Sequence, residues 1–319
     1  MLNQKTSGFT LIELLVGMIL AALVITPLMG FMINIIDTDR REQAKATSEQ
    51  ELQAALDYIS RDLEQAVYIY DADGLTRDNS ATPADSGIRN QIPPIAPANG
   101  CSDASKCQPV VVFWKREYKK NVVPVSTTSN CALSPSSCDD TFVYSLVGYY
   151  LIKDDNDTWS KTARIGRFQI EDGVKAPTAS GSGYVTGSEP SAGFNLFNLN
   201  LQGDSLKAKM NQWKKKDGES YTDQTVVLLD YIDHSTVGVP QVSCPTGMQE
   251  VPPYTGSSAV IDTFKTYSFY ACVDSSKTMA QVHLRGNALA RFREGVTYST
   301  SDSAYFPEAS IQVKGRGLN

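Results

Sequence analysis

The chain has 319 residues with 29 basic and 35 acidic side chains, so its formal net charge at pH 7 is −6. That balance lacks the basic surface typical of nucleic-acid-binding proteins, and nucleic acid is therefore not an expected partner. The length suffices for one large or two ordinary domains. The six cysteines all lie at or beyond Cys101, and they fit an oxidising compartment in which disulfides persist.

The first predicted element is an apolar segment from Phe9 to Ile36, in which Glu13 is the only ionisable side chain. It exceeds the roughly 20 apolar residues that a helix needs to cross a bilayer. No cleavage site of a secretory signal follows it, so we expect a single membrane span over residues 9–36. The polar segment 1–8 carries one cation, Lys5, which predicts a cytoplasmic N-terminus and places the bulk of the chain outside.

A second, amphipathic half of the same helix is predicted over residues 37–67. Its apolar residues recur at spacings of three and four and so share one face; they are Leu52, Leu56, Ile59, Leu63 and Ala66. We expect this stripe to pack on a head domain over residues 68–319, with a nearly continuous helix from Phe9 to Val67 that bends near Pro27. A coiled coil is the alternative, but the stripe spans only about two heptads.

Beyond the helix, most patterns are those of strands, rich in β-branched and aromatic residues and bounded by turn residues. The predicted strands are Val110 to Tyr118, Phe142 to Ile152, Thr225 to Tyr231, 267–274, 280–285 and 309–313. The alternation across 267–285 predicts a hairpin with one buried face. A short amphipathic helix is predicted from Ser205 to Lys216. The fold class is therefore α+β, a long N-terminal helix packed on a mainly antiparallel sheet.

The six cysteines allow fifteen pairings, and close spacing in sequence favours local pairs. The favoured pairs are Cys101–Cys107, Cys131–Cys138 and Cys244–Cys272. A zinc site is the alternative, but it would need tighter Cys-x-x-Cys spacing or histidines close to the cysteines. The two histidines, His234 and His283, lie near no such pair. We interpret His234 as a turn residue and His283 as part of an exposed strand face, and we predict no metal.

Two acidic turns, Asp71 to Gly74 and Asp154 to Asp157, leave calcium as an alternative. Neither supplies the acidic spacing of a dedicated calcium loop, and Asp, Asn and Gly in succession are more typical of simple turns. The segment Asp233-His234-Ser235 contains the residue types of a catalytic triad, but neighbours in sequence cannot face one another as a triad requires. Because phosphate-binding loops and hydrolase motifs are lacking as well, we predict neither an enzyme nor a cofactor.

Three irregular stretches, 76–108, 173–193 and 236–258, separate the strands, and such loops are either functional or mobile. The strand patterns between them are too few to build independent sheets, so we expect one head domain. The basic run from Lys214 to Lys216 is interpreted as a solvated helix end, with binding of an acidic polymer as the alternative.

The N-terminal hexapeptide Gly8 to Glu13, G-F-T-L-I-E, lies between a short leader and an apolar helix, and it resembles the processing site of type IV pilins and pseudopilins. The resemblance implies that prepilin peptidase removes the leader 1–8 by cutting between Gly8 and Phe9, and that Phe9 is then N-methylated. A carboxylate in the hydrocarbon region costs roughly 2.5–3.5 kcal/mol. Glu13 is therefore expected to pair with the Phe9 ammonium of a neighbouring subunit during assembly. The alternative is a helix-end carboxylate close to the hydrated headgroups.

This resemblance implies a structural minor subunit of a type IV pilus-like or type II secretion-like filament, with a periplasmic head. Its partners would be other pilin or pseudopilin subunits and an inner-membrane assembly platform. Two further segments, 62–71 and 284–289, are similar to the hormogonium polysaccharide secretion pseudopilins of filamentous cyanobacteria, which implies support of polysaccharide export for gliding motility. The alternative is a filament-tip adhesin or polysaccharide-binding minor pilin, with ligand contacts on loops 76–108 and 173–193.

Overall fold

The computed structural model describes residues 8, 10–126, 130, 131, 133–176 and 183–318. Its first element is helix α1, Leu11–Glu64, which continues without interruption through Pro27. At 1.5 Å per residue this helix is about 80 Å long. Two antiparallel sheets follow it. The predicted α+β class, a long N-terminal helix on a mainly antiparallel head, is confirmed.

The larger sheet has five strands: β1 (Ala66–Ile69), β2 (Cys107–Pro124), β3 (Cys138–Ile152), β4 (Ala163–Glu171) and β5 (Val226–Ile232). They lie side by side in chain order, and every neighbouring pair is antiparallel. β1 pairs only with residues 113–115 of β2, and β4 pairs with β3 only from Ser145 onward. The remainder of β2 and β3 therefore projects from the sheet as a two-stranded ribbon.

The smaller sheet has four strands: β6 (Gln249–Val251), β7 (Phe269–Asp274), β8 (Met279–Arg285) and β9 (Glu308–Lys314). They also lie in chain order with antiparallel neighbours. Two helices of one turn, α2 (Ala72–Thr76) and α3 (Leu206–Met210), lie in the connections. The head thus contains two sheets, and the expectation that the strands are too few for more than one sheet is wrong.

The two sheets are joined where β5 and β8 end. Ile232 forms an antiparallel bridge with Gly286. On either side of it, the amide of Asp233 donates to the carbonyl of Arg285 at 3.0 Å, and the amide of Asn287 donates to the carbonyl of Tyr231 at 2.8 Å. Because backbone groups are satisfied across this junction, the two sheets form one continuous head.

The C-terminal half of α1 packs across both sheets and contacts β2, β5, β8 and β9. The predicted apolar stripe from Leu52 to Ala66 is buried at all five positions. The helix comes closest to the head at Gly286, where a Cβ atom would lie 2.6 Å from Ser48 Oγ and 3.3 Å from Leu52 Cδ1. A residue without a side chain fits there because the buried side chains of Ser48 and Leu52 leave no room for one.

The helix ends at Glu64, before the predicted end at Val67. The next residues form β1 instead, and Tyr68 pairs with Trp114 of β2. Valine, isoleucine and tyrosine favour strands, while the spacing of the apolar residues favours a helix. Pairing with β2 decides in favour of the strand, and the spacing of apolar residues in the sequence carries no information about that pairing.

Two strands and one helix also differ from expectation. The strand patterns do not predict β6, which has three residues, or β4, whose apolar residues are interrupted by Arg164, Gly166 and Arg167. The helix predicted from Ser205 to Lys216 is only Leu206–Met210. Of its predicted apolar face, Met210 and Trp213 are buried, whereas Leu206 is 37% exposed. The face is therefore too narrow to hold a longer helix on the head.

The predicted hairpin is present as β7 and β8, but every residue of β7 is buried, so the expectation of one buried face is wrong for that strand. Cys272 of β7 forms a disulfide with Cys244, which covers one of its faces. The other two disulfides join Cys101 to Cys107 and Cys131 to Cys138. The structure therefore contains the local pairing that the sequence spacing favours.

Candidate functional site

The N-terminal half of α1 has no contact with the head. Its large apolar side chains from Leu11 to Ile36 are all exposed, from 85% at Leu11 to 43% at Ile36. Within the part of the chain that the structure describes, α1 is the one helix long and apolar enough to cross a membrane. An apolar surface of this extent is covered by lipid or by another protein in a functioning molecule.

Glu13 begins this exposed half and is held by the helix start. The backbone amide and the hydroxyl of Thr10 donate to Glu13 Oε2 at 3.0 and 2.9 Å, and the amide of Glu13 donates to Thr10 Oγ1 at 3.4 Å. This is a capping box, in which two residues three apart satisfy each other's donors at a helix N-terminus. Glu13 therefore has a local partner in the isolated chain.

The expected processing site lies just before Thr10. Gly8 is exposed, and a Cβ atom added to it would meet nothing within 4 Å. Phe9, the expected methylated residue, lies outside the described residues, as do residues 1–7 of the expected leader. Gly8 is therefore not required by the packing of this chain, so a requirement for glycine would come from a processing enzyme.

The other end of α1 is tied to the larger sheet by Asp62. Its carboxylate accepts from Lys115 Nζ at 3.0 Å, Tyr149 Oη at 2.7 Å and Arg167 Nε at 2.8 Å, which come from three neighbouring strands. Burial by itself raises the pKa of Asp62, but Arg167, Lys115 and the Tyr149 hydroxyl together hold that pKa below its usual value. None of the sequence patterns predicted this site. The signal for it was the spacing, because Asp62 follows Ile59 by three residues and shares the apolar stripe.

Further polar contacts hold the helix and join the sheets. Arg291 pairs with Glu51 of α1, and its guanidinium lies 4.5 Å from the centroid of the Tyr231 ring. Arg285 donates from Nε to Asp233 at 2.9 Å and from a terminal nitrogen to the carbonyl of Thr266 at 2.6 Å, and both charged groups are buried. Buried charges need such complete partners. The head is therefore attached to α1 at several points along its length.

The acidic turns serve as caps and ion-pair partners. Asp71 caps α2 through the amide of Gly74 at 3.3 Å and pairs with Lys207 at 2.6 Å. Asp154 accepts two hydrogen bonds from Arg164, at 2.5 and 2.7 Å. Among the described residues no group of three acidic, histidine or cysteine side chains could hold a metal ion. Both turns are therefore held by contacts within the chain.

The triad residue types are not arranged as a triad. Asp233 accepts from Ser235 Oγ at 2.6 Å and from Arg285, while the carbonyl of His234 accepts from Lys153 at 3.0 Å. His283 lies on the less buried face of β8, as expected, but it is only half-exposed because its ring stacks on that of Tyr270 with the centroids 4.5 Å apart. Burial lowers the pKa of His283 and raises that of Tyr270 to about 12. These contacts are those of packing.

The first of the expected ligand loops and the basic run are partly built into the head. Within residues 76–108 the side chains of Ile88, Ile92, Ala96 and Ala98 are buried. Part of the second expected ligand loop, residues 177–182, lies outside the described residues. Glu219 pairs with Lys216, and its carbonyl accepts from Lys215. The basic run is thus partly neutralised within the head.

The comparison with known proteins adds one finding at the N-terminus. Residues 3–29 match the family described as the prokaryotic N-terminal methylation motif. No curated protein and no solved structure matches the chain, so the closer resemblance to hormogonium polysaccharide secretion pseudopilins is unsupported. The matched motif implies processing by prepilin peptidase and assembly with other pilins. Together with the long apolar helix, it supports a type IV pilin-like, membrane-anchored structural protein.

Proposed function

We propose that the protein is a minor subunit, a pseudopilin, of a type IV pilus-like or type II secretion-like filament. Prepilin peptidase cuts between Gly8 and Phe9 and methylates the new N-terminus, and an inner-membrane assembly platform then moves the helix from the bilayer into the filament. The observation that carries this proposal is the exposed apolar half of α1, from Leu11 to Ile36, on which nothing in the described chain packs. Lipid covers this surface before assembly, and the helices of neighbouring subunits cover it afterwards.

In this proposal Glu13 changes its partner during assembly. Before assembly it caps the helix through Thr10, and it lies close enough to the membrane surface to remain hydrated. In the dry interior of a filament an isolated carboxylate is unfavourable by several kcal/mol. The ammonium of Phe9 from the next subunit neutralises it there, so the pair selects the axial position of each added subunit.

The proposed domain organisation follows from the same assignment. Residues 1–8 are the cytoplasmic leader, residues 9–36 the membrane-spanning half of the helix, residues 37–67 its amphipathic half, and residues 68–319 the extracytoplasmic head. The disulfides of the head are consistent with a periplasmic location.

Support of polysaccharide export and gliding motility is the narrower part of the proposal. It rests on segments 62–71 and 284–289, in which Asp62, Tyr70 and Arg285 are buried. Tyr70 accepts from the indole of Trp114 at 3.0 Å, and the other two join the helix or the sheets as described above. Residues of this kind are constrained by packing, so the segments favour a shared head architecture more strongly than a shared cargo.

The test is a deletion strain complemented with Glu13→Ala, with Glu13→Gln, and with Glu49→Ala as a control at an exposed carboxylate of the same helix. A charge-assisted hydrogen bond is worth about 1.5–3 kcal/mol, so the Glu13 variants are expected to lower filament incorporation about tenfold or more. The control is expected to incorporate normally. Quantitative immunoblotting of sheared filaments measures incorporation, and normal incorporation of Glu13→Ala would contradict the proposal.

A further inference from the structure

An open groove of about 540 Å³ lies at the end of α1, where the ribbon of β2 and β3 leaves the larger sheet. Three arginines from distant parts of the chain line it: Arg61 of α1, Arg116 of β2 and Arg316 in the segment after β9. We propose that this arginine groove binds the acid groups of an anionic polysaccharide outside the membrane. This inference rests on the proposed function, because polysaccharide export is what would bring the polymer to the head. It adds the surface of the head that contacts the polymer.

The three guanidinium groups are not neutralised within the chain. Among the described residues, none of them has a carboxylate oxygen within 4.0 Å, whereas Arg164 and Arg285 each form an ion pair with an aspartate. A carboxylate that lines the groove, Glu117, is already engaged by Lys115 and Lys119. In a chain with a net charge of −6, the groove is therefore a local site of positive potential, which attracts anions.

The side chains of two of the arginines, and the backbone around the third, are held in place before any ligand arrives. The guanidinium of Arg116 lies over the Phe142 ring, 3.8 Å from its centroid, and Arg61 donates from Nε to the carbonyl of Asp57 at 3.1 Å. The backbone on either side of Arg316 is fixed, because the amides of Gly315 and Gly317 donate to carbonyls at 2.8 and 3.2 Å. A preorganised site loses less conformational entropy when it binds.

Distance from the membrane excludes a lipid headgroup as the source of the anion. Arg61 lies 25 residues beyond Ile36, the end of the expected span, since 61 − 36 = 25. This separation is about 38 Å along the helix at 1.5 Å per residue. Electrostatic attraction between exposed charges is screened within about 8 Å at physiological ionic strength. The ligand is therefore a molecule outside the bilayer.

The other groups in the groove favour an acidic sugar over a protein strand or a nucleic acid. The ribbon beside the groove carries Lys119, Lys120 and Pro124, and residues of this kind block the addition of another strand. The exposed carboxylate of Glu64 lines the groove and can accept from the free hydroxyls of a sugar unit, which the backbone of double-stranded DNA does not offer. The rings of Tyr118 and Phe142 are 53% and 43% exposed.

Each part of an acidic sugar finds a matching group in this arrangement. Guanidinium forks bind carboxylate or sulfate through two parallel hydrogen bonds. The hydroxyls of the sugar donate to Glu64, and its apolar C–H face packs on an aromatic ring. Carboxylate and sulfate share this chemistry, so the experiment compares a polymer of each kind.

The test uses the full-length chain in detergent, titrated by calorimetry with polygalacturonate, dextran sulfate and neutral dextran. The variant Arg61→Gln/Arg116→Gln/Arg316→Gln is expected to bind the acidic polymers about tenfold more weakly or worse. The matched control Arg40→Gln/Lys175→Gln/Arg293→Gln removes three exposed cations outside the groove, and it is expected to bind within about twofold of the parent. Neutral dextran is expected not to bind. Unchanged thermal unfolding, followed by fluorescence of the buried Trp114 and Trp213, verifies that each variant is folded.

A second variant set, with lysine at the three groove positions, keeps the charge but loses the forked geometry. It is expected to recover part of the lost affinity. Equal binding by the lysine and parent proteins, or an equal loss in the matched control, would show general charge attraction and overturn the inference. Tighter binding of double-stranded DNA or polyglutamate than of the acidic polysaccharides would overturn it as well.

Two measurements separate this inference from the proposed function. In vitro, Glu13→Ala protein is expected to bind the polymer normally although it fails to enter filaments. In cells, the glutamine variant of the groove is expected to enter filaments normally and to retain less polymer. If the glutamine variant of the groove retains as much polymer as the parent protein, the inference is overturned and the filament role is unaffected. If Glu13→Ala protein enters filaments normally, the filament role is overturned.

Discussion

Asp62 is the residue through which the end of the long helix is tied to the head. It has three partners on three strands, and all of them are buried or half-buried. Its pKa is lowered below the ordinary 3.8, as the pKa of Glu117 is below 4.5. In both cases burial opposes ionisation and the neighbouring cations outweigh it. A carboxyl group whose pKa is lower in the folded state stabilises the fold when it is ionised.

The contribution of Asp62 to the free energy of unfolding depends on pH. The stabilisation from Asp62 is complete above its unfolded pKa of about 3.8 and is lost as the pH falls through its lower, folded pKa. Removing one member of a buried ion pair destabilises a protein by about 3–5 kcal/mol. We therefore expect Asp62→Asn to lower the free energy of unfolding by about this amount at pH 7, and by much less near pH 2.

Urea unfolding of the full chain in detergent, followed by tryptophan fluorescence, measures this difference at each pH. Asp57→Asn, on the exposed face of the same helix, is the control and is expected to change stability by less than about 0.5 kcal/mol. A deficit for Asp62→Asn that stays constant from pH 7 to pH 2 would show that the carboxylate charge contributes nothing.

Gly8 gives a second prediction at the residue scale. A Cβ atom there meets nothing within 4 Å, so Gly8→Ala leaves the fold intact and affects only recognition by the peptidase. We expect mass spectrometry of the parent protein from filaments to show an N-methylated Phe9 at its start, and Gly8→Ala protein to retain Met1 and stay out of filaments. Gly17→Ala, also in open space within the chain, is the control for cleavage and is expected to lose its leader normally. Intact Met1 on filament-associated parent protein would disprove the cleavage.

At the scale of elements, the decisive contact is the crossing of α1 over Gly286. The helix lies so close to the start of the loop after β8 that a methyl group would meet Ser48 Oγ at 2.6 Å. Ser48 is itself buried, so it cannot swing away into solvent. The helix position on the smaller sheet therefore depends on one absent side chain.

We expect Gly286→Ala to lower the free energy of unfolding by about 1–3 kcal/mol, as overpacking of a filled core usually does. Ser48→Ala removes the oxygen that the new methyl group meets. The double variant is therefore expected to recover most of the loss, and this recovery is a coupling between the two sites. Urea unfolding of both single variants and the double variant measures it, and simple addition of the two single effects would refute the close packing.

At the scale of the whole molecule, the disulfides differ in the length of the loop that each closes and in the part of the head that each constrains. Cys244–Cys272 closes a loop of 28 residues onto the buried strand β7, whereas Cys131–Cys138 spans 7 residues on the projecting ribbon. In the chain-entropy account, a longer closed loop restricts the unfolded chain more. The disulfide that joins the loop to the smaller sheet is therefore the more important of the two for the stability of the head.

Replacing Cys244 and Cys272 together by serine is expected to lower the free energy of unfolding by about 2–5 kcal/mol. The same change at Cys131 and Cys138 is expected to have a smaller effect, because the ribbon lies outside the five-stranded part of the sheet. Thermal unfolding without reductant measures both variants, and alkylation of the parent protein should detect no free thiol. Six alkylated thiols in the parent protein isolated without reductant would contradict this redox state.

The features that the sequence determined by itself are local. The apolar segment, its single carboxylate and the hexapeptide at residues 8–13 are readable within a short window, because hydropathy and capping depend on neighbours in the chain. The same holds for the apolar stripe of α1 and for the β7–β8 hairpin, whose partners are close in sequence. Membrane anchoring and the pilin-like motif therefore follow from short stretches of residues, without any long-range contact.

Tertiary structure alone decided the features that join distant residues. β1 is a strand because β2 pairs with it, although the spacing of apolar residues that leads into it favours a helix. Asp62 finds partners 53 and 105 residues away in Lys115 and Arg167, and the arginine groove collects residues from α1, β2 and the segment after β9. The energy of such sites depends on which groups are desolvated together, and that is set by the packing of the chain and not by any run of its residues.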